Sequence, residues 1–189
     1  MDAQRSALMV VDMLNPYEHE DADQLTPSVE RSVGNIRDLI ARAHGEGVKV
    51  IYVNDNYRHW TSSREELVEA ACHGARPDLV EPIRPDDETA FVIKARHSIF
   101  YSTPLDYLLG QEGIDHLVLA GQVTEQCILY SALDAYVRHH RVTIPRDAVA
   151  HIDDGLAEAA LALMERNMAA EISPAAKCTM VSGRVPAER

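Results

Sequence analysis

Short apolar runs alternate with longer amphipathic stretches along nearly the whole chain. Apolar runs of this length are typical of strands that are buried on both faces of a parallel sheet. They lie at 7–12, 48–53, 91–94, 117–120, 141–145 and 170–173. Between them, apolar residues recur at helical spacing, which predicts helices over 27–43, 63–71, 104–109, 124–137 and 153–168.

This alternation predicts an α/β protein, a three-layer doubly wound (Rossmann-like) sandwich. We expect a six-stranded, mainly parallel sheet of order 3-2-1-4-5-6, in one domain spanning 1–189. In that order the ligand crevice lies where the first and fourth strands end. The last helix is expected to face the core, and the stretch 77–88 to form an irregular connection. The residues expected on the inner face of that helix are Leu156, Ala159, Ala160, Leu163 and Met164.

The net charge of -12, from 18 Lys and Arg against 30 Asp and Glu, argues against nucleic acid or an anionic membrane as a partner. A small-molecule substrate remains the expectation. The three cysteines are too few for a disulfide framework and have no zinc-binding spacing, which favours a reducing cytoplasm. The N-terminal residues lack the layout of a signal peptide, and no segment is long enough to span a membrane.

Cys127 follows the apolar run 117–120 and falls where a helix begins. Thr124 offers a capping hydroxyl, and Glu125 an acid in the first turn. The free N–H groups and the positive dipole end of such a turn favour a thiolate and stabilise an oxyanion. Cys127 is therefore a candidate nucleophile; the alternative is a small core residue.

Asp12 ends the first strand and Lys94 ends the third, so both are expected at the same edge of the sheet as Cys127. A carboxylate can take the proton of a thiol, and an ammonium group stabilises the resulting charge. The alternative is three unrelated residues, with Lys94 in solvent.

The segments 10–15, 91–100 and 121–127, with 132–135 downstream, resemble the isochorismatase-like cysteine hydrolases. The family pattern has an Asp after the first strand, a Lys after the third, and a Gly-x-x-Thr-x-x-Cys turn that opens a helix. The resemblance implies a catalytic triad of Asp12, Lys94 and Cys127. It also implies a cis peptide bond between Gln122 and Val123, an oxyanion hole from the amides of Val123 and Cys127, and a thioester intermediate.

The resemblance implies hydrolysis of a C–N bond in a small amide, ureide or lactam, a streptothricin-lactam type included. Isochorismatases cleave a vinyl ether without the thiol, so Cys127 favours the amide reaction. A vinyl ether hydrolase and a non-catalytic scaffold or binding relative stay open. Nicotinamidases carry an Asp-x-His zinc motif, but Tyr57 takes the place of its first histidine, so no metal or cofactor is expected.

The expected substrate-binding residues combine amides, aromatic rings and one cation. Arg96 is a candidate anchor for a substrate carboxylate, or a residue of a structural ion pair. The aromatic residues suit a planar substrate, although any of them can be core, and Trp60 can simply anchor its loop. Relatives are usually dimers or larger, so a homo-oligomer is expected. The full set is Asn15, Tyr17, Tyr57, Trp60, Arg96, Phe100, Gln122 and Tyr130.

Overall fold

A parallel sheet forms the centre of the computed structural model, which describes residues 5–60 and 62–181. Its strands are β1 (Ser6–Val11), β2 (Lys49–Asp55), β3 (Ala90–Lys94), β4 (His116–Gln122), β5 (Arg141–Pro145), β6 (Val149–Ala150) and β7 (Glu171–Ser173). They run in the order β3-β2-β1-β4-β5-β7, and β6 pairs with β4. The predicted order is confirmed, with β7 as the expected sixth strand. The two-residue β6 was not expected because so short a strand leaves no apolar run.

In the part of the chain that the structure describes, six α-helices connect the strands. They are α1 (Ala22–Glu46), α2 (Arg64–Cys72), α3 (Pro77–Val80), α4 (Leu105–Glu112), α5 (Leu129–Val137) and α6 (Asp154–Met168). Helix α1 begins earlier than expected, with Pro27 inside it. The stretch expected to be irregular contains α3 and the 3-10 turn Glu81–Ile83. Within the described residues, none of the helices has the length and apolar character that a membrane crossing needs.

The helices cover both faces of the sheet, which gives the expected three layers. In β1, Leu8 and Val10 face one hydrophobic core, whereas Ala7, Met9 and Val11 face the other. Helices α1, α2 and α3 pack on the first face, and α4, α5 and α6 on the second. All six residues of β1 are buried. A strand covered on both sides needs apolar residues at every position, which explains the continuous apolar runs.

The inner face of α6 differs from the expected one. Ala160 and Met164 are buried as expected, but Leu156, Ala159 and Leu163 are exposed. The buried residues Ala157, Ala160, Leu161 and Met164 follow a regular helical spacing. Because α6 carries apolar residues on two faces, its sequence pattern did not distinguish the one that packs on the sheet.

Candidate active site

The ends of β1, β3 and β4 bring three chemically distinct side chains together. Lys94 Nζ lies 2.9 Å from Asp12 Oδ2 and 3.5 Å from Cys127 Sγ. The carboxyl group of Asp12 also hydrogen-bonds the thiol of Cys127. The three residues expected to form a triad therefore lie in mutual contact at the carboxyl edge of the sheet, between β1 and β4.

This cluster is buried, and burial governs its proton affinities. Burial raises the pKa of Asp12, although the charge of Lys94 acts in the opposite direction. Burial, the largest single cause, lowers the pKa of Lys94, but the attractions of Asp12, Cys127 and Asp55 together outweigh it and the pKa is raised. Lys94 is therefore a fixed cation, whereas Asp12 is a stronger base than an exposed carboxylate.

The expected thiolate is not the resting form of Cys127. Burial raises the pKa of the thiol, and the negative charge of Asp12 raises it further, against a smaller lowering by Lys94. A sulfur with this environment keeps its proton until a base removes it. The hydrogen bond from the thiol places Asp12 to do so.

The backbone fixes Asp12 from two sides. Its φ of 54° is in the left-handed region, which a non-glycine residue occupies only under constraint. The amide of Asp55 donates to Asp12 Oδ1 at 2.7 Å, and Gln122 Nε2 donates to the backbone carbonyl of Asp12 at 2.6 Å. Both carboxylate oxygens of Asp12 thus have partners, since Lys94 contacts the other one.

The turn that carries Cys127 depends on a glycine. Gly121 has a φ of 120°, and a Cβ built on it would lie 2.2 Å from the backbone oxygen of Val11. The next peptide bond, Gln122–Val123, is cis, as the resemblance implied. The chain then forms a π-helical turn at Thr124–Ile128 before α5, so Cys127 lies in a wider turn than the α-helical one expected.

The predicted capping role of Thr124 is wrong. Its hydroxyl donates instead to the carbonyl of Ala150 in β6, at 2.9 Å. Glu125 accepts hydrogen bonds from the amides of Ile152 and Asp153. Both side chains therefore tie the turn to the segment that leads into α6, and the π-helical turn has no side-chain cap.

Asp55 is a charged residue of the cluster beside Asp12 and Lys94, and the sequence analysis did not single it out. Its Oδ2 lies 3.4 Å from Lys94 Nζ, and its Oδ1 accepts the amide of Tyr57 at 2.7 Å. The parallel register pairs Asp55 with Lys94 across β2 and β3. That register is the signal from which the contact could have been found.

The zinc site of nicotinamidases has no matching donor set at this position. Tyr57 donates its hydroxyl to the carbonyl of Leu14, and burial raises its pKa well above the ordinary value. Asp55 already binds Lys94. Among the described residues, no three His, Cys, Asp or Glu side chains are grouped to hold a metal ion.

Two cavities divide several of the expected substrate-binding residues. A cleft of about 1010 Å³ is lined by Lys94, Trp60 and Arg96, and the ring of Trp60 is largely exposed there. A smaller cavity of about 400 Å³ is lined by Asn15 and Tyr57. His59 and Ser62 border both cavities. Arg96 has no ion pair within residues 5–60 and 62–181. The alternative that Arg96 belongs to a structural ion pair therefore finds no support.

Three other expected residues contact the protein itself. The Tyr17 hydroxyl donates to Gln122 Oε1 at 3.4 Å, and both side chains are buried. Through its hydrogen bond to the backbone carbonyl of Asp12, Gln122 holds the backbone that carries the carboxylate. Phe100 is buried in the core under the guanidinium of Arg138, and the structure does not bring it to the cleft.

His97 is the second residue that the sequence analysis left out of the site. Its Nδ1 lies 3.7 Å from Cys127 Sγ, and its ring stacks on Tyr130 with centroids 5.3 Å apart. Tyr130, expected to bind substrate, thus contacts a neighbour of the sulfur. The signal in the sequence was the binding-type residues directly after Lys94.

The doubly wound sheet presents an acid, an amine and a thiol at the crevice between β1 and β4. This arrangement is typical of an α/β enzyme that uses a cysteine for hydrolysis. Comparison with known proteins specifies the family. The family profile described as Isochorismatase domain matches residues 6–177, and the chain belongs to this family.

Similar proteins include a hydrolase and an amidase of named activity. An uncharacterized isochorismatase family protein, YaaI of Bacillus subtilis, is 34% identical over 88% of this chain and 92% of its own. Streptothricin hydrolase of Streptomyces noursei is 31% identical over 78% of this chain but only 55% of its own length. The crystal structure of N-carbamoylsarcosine amidase from Thermoplasma acidophilum superposes with a TM-score of 0.73 and 29% identity, covering 93% of this chain and 99% of that one. The protein is a hydrolase whose relatives include amidohydrolases acting on C–N bonds.

Proposed function

We propose that the protein hydrolyses a C–N bond of a small amide, ureide or lactam by way of a thioester on Cys127. The observation that carries the proposal is the contact of one sulfur with both a buried base and a buried cation, Asp12 and Lys94. A nucleophile with an adjacent base is the arrangement that covalent acyl transfer requires.

In the proposed reaction Asp12 takes the thiol proton while the sulfur of Cys127 attacks the carbonyl carbon. The amides of Val123 and Cys127 hold the oxyanion, as such donors do in other acyl transfers. The C–N bond then breaks, and the leaving nitrogen takes a proton, for which Asp12 is the first candidate. Water finally attacks the thioester and releases the acid. Lys94 keeps Asp12 oriented and stabilises negative charge on the sulfur throughout.

The substrate is proposed to enter from the 1010 Å³ cleft, which reaches Lys94 and carries Trp60 at its rim. Arg96 lines the same cleft and forms no ion pair with any carboxylate of the described residues, which supports its role as an anchor for a substrate carboxylate. The names of the similar streptothricin hydrolase and N-carbamoylsarcosine amidase support lactams and carbamoyl compounds as the first substrates to test.

The test is a screen of amides, ureides and lactams for release of amine or ammonia, with Cys127→Ala beside the unaltered protein. We expect the variant to lose turnover by on the order of 10³-fold or more, because the nucleophile is gone. Thermal unfolding of both proteins checks that the fold is kept. Retained turnover in Cys127→Ala would overturn the mechanism.

Two alternatives have distinct outcomes in the same screen. A vinyl ether hydrolase, in which Asp12 acts as the acid, would cleave isochorismate equally well with and without the Cys127 thiol. A scaffold or binding relative would release nothing from any compound. The presence of the acid, the amine and the thiol together argues against a non-catalytic scaffold, because a site without activity does not require all three.

We also propose that the chain forms a homo-oligomer, a dimer or larger. Helix α5 exposes a contiguous group of large apolar side chains, which is unusual for a monomer. Light scattering on the purified protein, and on Leu133→Glu, tests this: the variant should dissociate. The exposed residues are Tyr130, Leu133, Tyr136 and Val137.

A further inference from the structure

The sulfur of Cys127 has a second neighbour that can carry a proton. His97 Nδ1 lies 3.7 Å from Sγ, whereas Asp12 and Lys94 contact the same sulfur from the buried side. Lys94 is 1% exposed and Asp12 6%, but His97 is exposed. The sulfur therefore lies between a buried ion pair and an imidazole on its solvent side.

The position of the His97 ring is defined by packing. It stacks on Tyr130 with an interplanar angle of 28°. The same ring lines the 1010 Å³ cleft and an adjacent hollow of about 410 Å³ that Tyr130 also lines. Because His97 lines the cleft and its Nδ1 also lies 3.7 Å from the sulfur, it is placed to meet a molecule that approaches Cys127 from that cleft.

Asp12 is less suited than His97 to protonate the leaving nitrogen. Its Oδ1 accepts the amide of Asp55 at 2.7 Å, and its Oδ2 contacts Lys94 Nζ at 2.9 Å. It is buried, and the proton that it receives from the thiol is the one that the sulfur needs back when the C–S bond later breaks. A leaving nitrogen on the solvent side of the sulfur is nearer to the exposed imidazole than to this enclosed carboxyl group.

We infer that His97 is the general acid for the leaving nitrogen, an inference that rests on the proposed function and replaces Asp12 in that one step. The imidazolium of His97 gives its proton to the nitrogen as the C–N bond breaks, and the amine departs neutral. Neutral His97 then takes a proton from the attacking water, whose oxygen bonds to the thioester carbon. The C–S bond breaks, and the sulfur recovers its proton from Asp12, which restores all three groups.

Other charged and titratable groups face His97 from the surrounding elements and belong to its electrostatic environment. Besides Cys127 and Tyr130, the charged and titratable residues that line the cleft and the hollow are Asp55, Arg58, His59, Lys94, Arg96, Tyr101 and Asp134. Because these groups carry both signs of charge, they also influence how the reactivity of Cys127 changes with pH. The contribution of His97 therefore has to be measured by comparison with a variant of His97 itself.

The experiment compares His97→Gln with the unaltered protein in two assays. The matched control is His73→Gln, at the exposed position directly after α2, where Nδ1 of the histidine lies 2.9 Å from the backbone carbonyl oxygen of Glu69. The first assay follows alkylation of Cys127 by iodoacetamide against pH, by mass spectrometry. We expect the unaltered protein and His73→Gln to share a step in rate that His97→Gln lacks, since protonation of His97 changes the field at the sulfur. Superimposable profiles for all three proteins would overturn the inference.

The second assay separates acid catalysis from binding. The most rapidly cleaved amide of the screen needs a proton on its leaving nitrogen, whereas p-nitrophenyl acetate releases a phenolate that needs none. We expect His97→Gln to lower kcat/KM for the amide by on the order of 10²-fold, and for the ester by less than about 3-fold. Equal losses, or no loss, would overturn the role of His97. Turnover that survives in Cys127→Ala would overturn the proposed function instead, so the two failures are distinguishable.

Discussion

Lys94 Nζ and Asp12 Oδ2 form an ion pair of 2.9 Å, with the side chain of Lys94 fully buried and that of Asp12 9% exposed. Such a pair is costly to assemble, because both charges leave water, and removing one partner leaves the other uncompensated. The pair joins the ends of β1 and β3, which are not neighbours in the sheet. The same ion pair therefore contributes both to the stability of the fold and to the arrangement of the candidate active site.

Removing the cation should destabilise the protein strongly. Lys94→Met leaves the carboxylate of Asp12 buried without its counter-ion, and we expect a loss of about 3–5 kcal/mol in the free energy of unfolding. Urea unfolding measures it. The matched control is Lys49→Met, which breaks a half-exposed 2.5 Å pair with Glu112 and should cost about 1 kcal/mol or less. Similar losses in the two variants would contradict the buried pair's importance.

The pH dependence of turnover should report the carboxylate of Asp12. This base must be ionised, and burial raises its pKa, so kcat/KM should fall as the pH drops through a midpoint above that of an exposed carboxyl group. The charge of Asp55 also raises the pKa of Asp12. Asp55→Asn removes that charge without changing the shape, and should move the acidic limb to lower pH.

The measurement for Asp12 is the kcat/KM profile of the best amide between pH 4 and pH 8. The control is Asp38→Asn on the surface of α1, where the carboxylate pairs with Arg37 in solvent. That variant should leave the midpoint in place. A midpoint that stays fixed in Asp55→Asn, or moves to higher pH, would show that another group governs the acidic limb.

The turn before Cys127 should not tolerate a side chain at Gly121. An alanine there would place its Cβ 2.2 Å from the backbone oxygen of Val11 and adopt a φ of 120°. Because Val11 precedes Asp12, the resulting shift moves the base as well as the nucleophile. We expect a loss of about 3 kcal/mol or more in the free energy of unfolding, and loss of turnover.

A glycine in an open position supplies the control for Gly121→Ala. Gly34 lies inside α1, and apart from the local helix backbone no atom of the described residues lies within 4 Å of the Cβ position. Gly34→Ala should therefore be neutral or raise the free energy of unfolding by about 1 kcal/mol, because alanine favours the helix. Thermal unfolding of both variants tests this prediction. If Gly121→Ala and Gly34→Ala are equally stable, the close approach of Gly121 to β1 does not limit the residue at position 121.

The sequence was sufficient to predict much of this architecture, because a strand covered on both faces must be apolar throughout, as β1 is. The strand order then placed Asp12 and Cys127 in one crevice. The contacts of Asp55 and His97 could not be predicted in the same way, since they depend on strand register and on a side-chain direction. Likewise, the hydroxyl of Thr124 could accept a hydrogen bond from an amide of the turn or donate one to a carbonyl, and only the position of β6 decides between them.

At the opposite edge of the sheet, His116 should make the fold sensitive to acid. It is buried between two hydroxyl groups, Nδ1 2.9 Å from Ser6 Oγ and Nε2 2.9 Å from Thr143 Oγ1. Burial lowers its pKa, and the charge of Arg141 lowers it further. Between the lowered pKa and the ordinary one, the unfolded chain binds a proton that the folded chain does not.

The free energy of unfolding should therefore rise with pH through that window and fall as the pH drops below about 6.5, by at most about 1.4 kcal/mol per pH unit for one such group. Urea unfolding at several values between pH 5 and pH 8 measures the slope. His116→Gln should lower the free energy of unfolding at pH 8, where two hydrogen bonds are altered, and should flatten the dependence below pH 6.5. His73→Gln, at an exposed position, should keep the slope of the unaltered protein. An unchanged slope in His116→Gln would assign the acid sensitivity to a different group, for which the half-buried His140 is the next to test, because burial lowers its pKa in the same direction.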